Sequence, residues 1–190
     1  MALGTSELYT ATIQANWHRF ENLTPATDYE VRAKVSNLIG DSEWTDYVQA
    51  RTGIVSTRPG LFTFEATTRT TIDLSFDALV GQDTGGSDTN PLEIVYYHIY
   101  MDNGMGGDYE LLTSLDGSTT TYTVQYLVPG LTYNFKNQAE NSIGLLSAFS
   151  TEQDMMPGTY PSAPGAPQRI SQSNELIHFY WNEPFDNGGS

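Results

Sequence analysis

Leu127-Val128-Pro129-Gly130-Leu131-Thr132-Tyr133-Asn134-Phe135-Lys136-Asn137-Gln138-Ala139-Glu140-Asn141-Ser142-Ile143-Gly144 decides the fold, because its landmarks occur twice. At a constant offset of 104, Leu23, Pro25, Tyr29, Asn37, Ile39 and Gly40 match Leu127, Pro129, Tyr133, Asn141, Ile143 and Gly144, six identities without a gap. Between these anchors the apolar residues recur every second position. Tyr29, Val31, Ala33 and Val35 alternate with Glu30, Arg32, Lys34 and Ser36. Tyr133, Phe135 and Ala139 alternate with Asn134, Lys136, Gln138 and Glu140. Period two marks a strand with one buried and one wet face. Its phase puts Asn137 on the buried side, where the first copy has Ala33, so that amide needs partners or a local irregularity.

A third copy begins near the other end. Ile177-His178-Phe179-Tyr180-Trp181, followed by Pro184 and Asn187-Gly188-Gly189-Ser190, resembles Ile72-Asp73-Leu74-Ser75-Phe76, followed by Gly85-Gly86-Ser87. Two connections fit the same scheme: residues 52–60 carry Pro59-Gly60, and residues 156–167 carry four prolines. Proline fixes φ and donates no hydrogen bond, so such stretches end strands and stiffen links. The complete unit is then 57–156, with strands expected at 62–66, 71–76, 94–101, 109–113, 120–125, 132–141 and 147–152. Asp102-Asn103-Gly104 reads as a turn, since Asn and Gly tolerate positive φ. Seven short strands with turn signals between them indicate an all-β antiparallel sandwich.

These residues resemble the fibronectin type III family, whose signature is a leucine, a proline, a tyrosine six positions after the leucine, and a strand ending in Asn-x-x-Gly. Leu23, Pro25, Tyr29, Asn37 and Gly40 carry it once, and Leu127, Pro129, Tyr133, Asn141 and Gly144 carry it again. The family also places a tryptophan on its second strand. Trp181 fills that position in the last copy, and Phe76 departs from it in the middle copy. The resemblance implies tandem immunoglobulin-like sandwiches with a tyrosine corner, in which the tyrosine hydroxyl bonds backbone upstream. It implies three modules: a partial one at 1–53 holding C-terminal strands, a complete one at 57–156, and a partial one at 160–190 holding N-terminal strands. A half-sandwich exposes its core face and strand edges. The chain is therefore expected to be an excerpt of a longer protein. Its partial modules would be completed by other domains of that protein or by neighbouring copies.

Composition agrees with a folded, strand-rich chain. Among 190 residues the apolar share is 38%, or roughly 47% with the 17 glycines counted, within the usual globular range of about 45–50%. Tyr and Phe number 12 and 8, and aromatic residues favour strands. No apolar run approaches the ~18 residues of a membrane span, so no membrane insertion is expected here. Met1-Ala2-Leu3-Gly4-Thr5 lacks the basic start and apolar run of a signal peptide. With 8 basic and 23 acidic residues the net charge is −15. Such a surface repels phosphate backbones, which argues against nucleic acid as a partner. The absence of cysteine excludes disulfides, zinc–thiolate sites and thiol catalysis.

No catalytic, cofactor or metal site emerges, and the chain reads as non-enzymatic. His18, His98 and His178 each lie in an expected strand without a second histidine nearby, whereas metal sites need converging ligands. Gly104-Met105-Gly106-Gly107 follows a hairpin strand and opens no helix, so it is a turn and not a phosphate cradle. Arg-Gly-Asp is absent. Asp83-Thr84-Gly85-Gly86-Ser87-Asp88 and Asp186-Asn187-Gly188-Gly189-Ser190 offer oxygens and flexible glycines but lack the spaced acidic ladder of an EF-hand. The best recognition surface is the outward face of strand 94–101. Tyr96, His98 and Tyr100 would point out there, beside Lys136 and Gln138, with cross-strand packing as the rival account. Asn22-Leu23-Thr24 is a glycosylation sequon followed at once by Pro25.

The function expected is that of a structural or adhesion module in a long repeat protein, assembling on a surface, outside the cell or in a filament through protein–protein contacts. The alternatives are an intracellular cytoskeletal or ciliary scaffold and an accessory domain of a larger enzyme.

Overall fold

The computed structural model of the chain describes residues 12, 13 and 15–189. The opening of the 1–53 segment and the last residue of 160–190 therefore lie outside the described residues. The chain forms two compact units that meet between Ile54 and Val55.

The first unit holds β1 (Asp28–Val31) and β2 (Val48–Arg51), an antiparallel pair. The second contains β3 (Thr63–Thr67), β4 (Ile72–Ser75), β5 (Ile94–Met101), β6 (Glu110–Asp116), β7 (Thr121–Val124), β8 (Tyr133–Asn141), β9 (Gln153–Met155), β10 (Gln168–Gln172) and β11 (Ile177–Tyr180). A 3-10 turn, Gly81–Thr84, follows β4. Strands pair in the order β3-β4-β7 in one sheet and β6-β5-β8-β9 in another, all antiparallel, while β10 and β11 make a separate hairpin. The chain is all-β, with a three-stranded and a four-stranded layer, as expected.

Alternation builds the core. Ile72 and Leu74 of β4, with Phe76 just beyond it, face Tyr97 and Ile99 of β5 and Tyr133, Phe135 and Ala139 of β8, all buried. Fully burying a side chain such as Phe135 stabilises by about 1.5–3 kcal/mol. Aromatic rings meet edge to face, Phe76 on Tyr97 at 4.8 Å and Phe62 on Phe76 at 5.8 Å, the arrangement their quadrupoles favour. Burial pushes the Tyr97 hydroxyl upward, although it accepts a 2.8 Å bond from the Leu79 N–H. Phe64 lies half-buried at the core margin.

The last expected strand, 147–152, is not a strand. Ser147 and Ser150 donate their N–H groups to the carbonyls of Ala139 and Asn137, each at 2.8 Å. Their hydroxyls, not their carbonyls, accept from the N–H groups of Ala139 and Asn137, each at 3.0 Å. Three residues on this segment thus span the length of two on β8, which breaks the pleat, and regular pairing resumes only at β9. Ser42 and Thr45 do the same in the first unit, accepting from Val35 and Ala33 at 3.0 Å each.

The repeat extends to pairing register. In β3-β4, Thr63 faces Ser75 and Thr67 faces Ile72, with a bulge between Phe64 and Ala66. In β10-β11, Gln168 faces Tyr180 and Gln172 faces Ile177, with a bulge between Arg169 and Ser171. Every partner has moved by 105 residues, bulge included. Backbone conformation repeats too: Asn22 and Tyr126 have φ of 57° and 62°, and Ala26 and Gly130 have 53° and 82°. What differs is burial. Ile72, Leu74 and Phe76 are at most 6% exposed, whereas Ile177, Phe179 and Trp181 are 60%, 47% and 62% exposed.

Candidate functional site

The outward face of the four-stranded sheet gathers most of the polar and aromatic side chains singled out in the sequence. On β5, Tyr96, His98 and Tyr100 stand opposite Glu140, Gln138 and Lys136 of β8. On the other side the same three residues face Asp116, Ser114 and Leu111 of β6. His98 is clamped between strands, with Nδ1 2.8 Å from the Ser114 hydroxyl and Nε2 3.1 Å from a Glu140 carboxylate oxygen. The Gln138 amide donates to the Ser147 carbonyl at 2.7 Å.

Lys136 is enclosed as well. Its ammonium lies 3.6 Å from the Tyr109 ring centroid, 4.7 Å from that of Phe149 and 3.5 Å from the Glu152 carboxylate. Tyr100 packs edge-on against Phe149 at 5.2 Å. Burial and then the charge of Glu152 push the Tyr109 hydroxyl up to about 12, so it stays neutral at any physiological pH. A cation over two aromatic faces gains about 0.5–2 kcal/mol, more as water is excluded. Tyr96, by contrast, is 43% exposed, with the His98 ring 5.9 Å away. The face is thus a cross-strand lattice around His98 and Lys136, with Tyr96 and Phe149 as its exposed aromatics.

Glu140, placed on the wet face by alternation, belongs to this lattice, as do Tyr109, Phe149, Glu152 and Ser114, which escaped the sequence reading. A signal was present for one of them. Phe149 lies 105 residues after Trp44, and in the first unit the Arg32 guanidinium sits 4.4 Å from the Trp44 ring. Arg32 and Lys136 are equivalent by the 104-residue offset, so the cation-on-aromatic pair is itself repeated.

The signature residues are placed as follows. The Tyr133 hydroxyl accepts from the Val128 N–H at 3.0 Å, and the Tyr29 hydroxyl from the Thr24 N–H at 2.9 Å, each five residues upstream. Asn141 is buried; its amide donates to the Thr84 carbonyl at 3.2 Å and accepts from the Leu145 N–H at 3.1 Å. Asn37 accepts from Ile39 and Gly40 at 2.8 and 3.1 Å. Gly144 takes φ of 76°, which favours glycine. Leu127 is buried, Leu23 half-buried, and Pro25 and Pro129 occupy exposed turns. Phe76 is in the core, Trp181 is on a wet hairpin face, and Asn22 is exposed.

Of the remaining histidines, His18 stacks edge-on with Phe20 at 4.8 Å and His178 sits exposed on β11. Among the described residues no three His, Asp or Glu side chains converge as a metal site. No described helix is long and apolar enough to cross a membrane.

No known protein-family profile matches the chain. It is similar to a crystal structure of titin domains, with a TM-score of 0.51 and 23% identity over 69% of this chain and 40% of that one. The chain has a fibronectin-type-III-like fold. The FN1-FN3 domains of chicken CNTN1 are similar at a TM-score of 0.49 and 17% identity, over 74% of this chain and 46% of theirs. A segment of two fibronectin type-III domains from chicken tenascin is similar at 0.44 and 18%, over 69% of this chain and 65% of that one. The chain spans less than half the length of the first two of these structures. In fibronectin-type-III-like terms, β3-β4-β7 is the smaller sheet and β6-β5-β8-β9 the larger.

Proposed function

We propose that this chain is a non-catalytic structural or adhesion segment of a tandem sandwich array, acting through protein–protein contacts. The observation that carries the reading is the repetition itself: pairing register, a β-bulge and left-handed backbone positions all recur about 105 residues apart. Modules repeated at this spacing and joined by proline-bearing links make a semi-rigid string, which is what a spacer requires. The outer face of β6-β5-β8-β9 is its contact surface, with Tyr96 and Phe149 as the exposed aromatics open to a protein partner. The exposed sequon at Asn22 supports an extracellular or surface setting.

Stretching the chain between its ends on a single-molecule tether tests the spacer role. A cooperative module of about 100 residues releases roughly 330–360 Å of contour, less its folded length. One discrete step of about that size is expected from the complete sandwich. Smooth extension without a step would remove the structural reading.

A further inference from the structure

The loop after β11, residues 186–189, is folded back against the end of the complete sandwich. Gly188 is buried there. Its carbonyl accepts from the Thr159 N–H at 2.7 Å, and the Asp186 carbonyl accepts from the Ser162 N–H at 2.8 Å. The Asp186 N–H returns a bond to the Ser162 hydroxyl at 3.1 Å. The Asp186 carboxylate accepts from the Gly188 N–H at 2.8 Å and pairs with the Arg69 guanidinium, in the turn between β3 and β4. The Gly188 N–H and then Arg69 hold that carboxyl below the usual range. Gly189 lies against Pro129, and its carbonyl faces Gly130. The Thr67 hydroxyl of β3 donates to the Gly158 carbonyl at 2.8 Å, fixing the connection itself.

Glycine is required at the contact. Gly188 has φ of 87°, and a Cβ there would lie 2.1 Å from the Thr159 carbonyl oxygen. A similar bond precedes the sandwich, Thr57 N–H to the Asp83 carbonyl at 2.8 Å, with its donor 105 and its acceptor 103 residues before Ser162 and Asp186. We propose that the sandwich end formed by Arg69, Thr67 and Pro129-Gly130 is a docking surface for the 186–189 loop that follows it, making the 156–167 connection a latched joint. The carboxylate that a cation would need is engaged by Arg69 and Gly188, so the loop serves as a clasp.

The chain has no cysteine, so Thr121→Cys and Gln172→Cys introduce one spin label on each side of the joint. Pulsed electron resonance should then give one narrow distance distribution. Asp186→Asn, Arg69→Gln or about 0.5 M salt should broaden it about twofold, since salt screens an exposed pair. The exchanged pair Arg69→Asp with Asp186→Arg should narrow it again, whereas Asp108→Asn, in the turn between β5 and β6, should do nothing. Amide exchange at Thr159 and Ser162 should rise at least about tenfold in Asp186→Asn. A broad distribution in the native chain, or Asp186→Asn behaving as Asp108→Asn in both readouts, overturns the latch.

Discussion

Asp102 closes the end of β5 from beneath. Its carboxylate is buried and accepts from the Gly104 N–H at 3.0 Å, the Asn134 N–H at 2.9 Å and the Asn134 amide at 2.9 Å. Burial alone would raise this carboxyl, but the three donors outweigh it and leave it below the ordinary carboxylate range. A depressed folded value means stability that is present above the unfolded value of about 3.9 and lost as pH falls through the folded one. Asp102→Asn should therefore cost about 1–3 kcal/mol at pH 7. The gap to the native chain should shrink near pH 3 when both are unfolded in urea. Asn137 is the opposite case. Alternation in β8 placed it inside from sequence alone, and it is fully buried, with neither amide atom partnered among the described residues. Its backbone is served by Ser150, its side chain by nothing described, so Asn137→Leu should raise stability by about 1 kcal/mol. A lower urea midpoint in that variant would show that the amide is satisfied.

Strands whose inner face alternates were legible at the level of the element. Residues 94–101 are β5 as expected, and β8 begins one residue after its expected start. The segment 147–152 was not, because its pairing to β8 runs through hydroxyls. Nothing in an apolar pattern distinguishes a serine that replaces a carbonyl from one that merely faces water. The sequence clue lies in spacing, Ser42-x-x-Thr45 and Ser147-x-x-Ser150, 105 residues apart. Each hydroxyl satisfies a buried N–H of β8, so Ser147→Ala and Ser150→Ala should each cost about 1–3 kcal/mol. Thermal unfolding of both single variants checks this, and a loss no larger than that of Ser118→Ala would mean that water substitutes for the hydroxyl. The recognition face divides in the same way. Tyr96, His98, Tyr100, Lys136 and Gln138 were placed by alternation, but the lattice around them comes from Tyr109, Phe149 and Glu152, outside the strands, where periodicity carries no information.

In the molecule as a whole, the sheets β3-β4-β7 and β6-β5-β8-β9 enclose a single core. Its core side chains are buried, while the equivalent Ile177 and Phe179 of β11, Trp181 just beyond it, and Val31 and Val35 of the first unit are each at least 38% exposed. A two-stranded ribbon with a wet apolar face is marginal on its own. Protection from hydrogen exchange reports this difference residue by residue. Native-state exchange on the monomeric chain should give one shared slow opening for amides of β4, β5, β7 and β8, Ile99 and Phe135 among them. Amides of β1, β2, β10 and β11 should exchange at least about ten times faster. Flanking strands as slow as Ile99 and Phe135 would contradict the account.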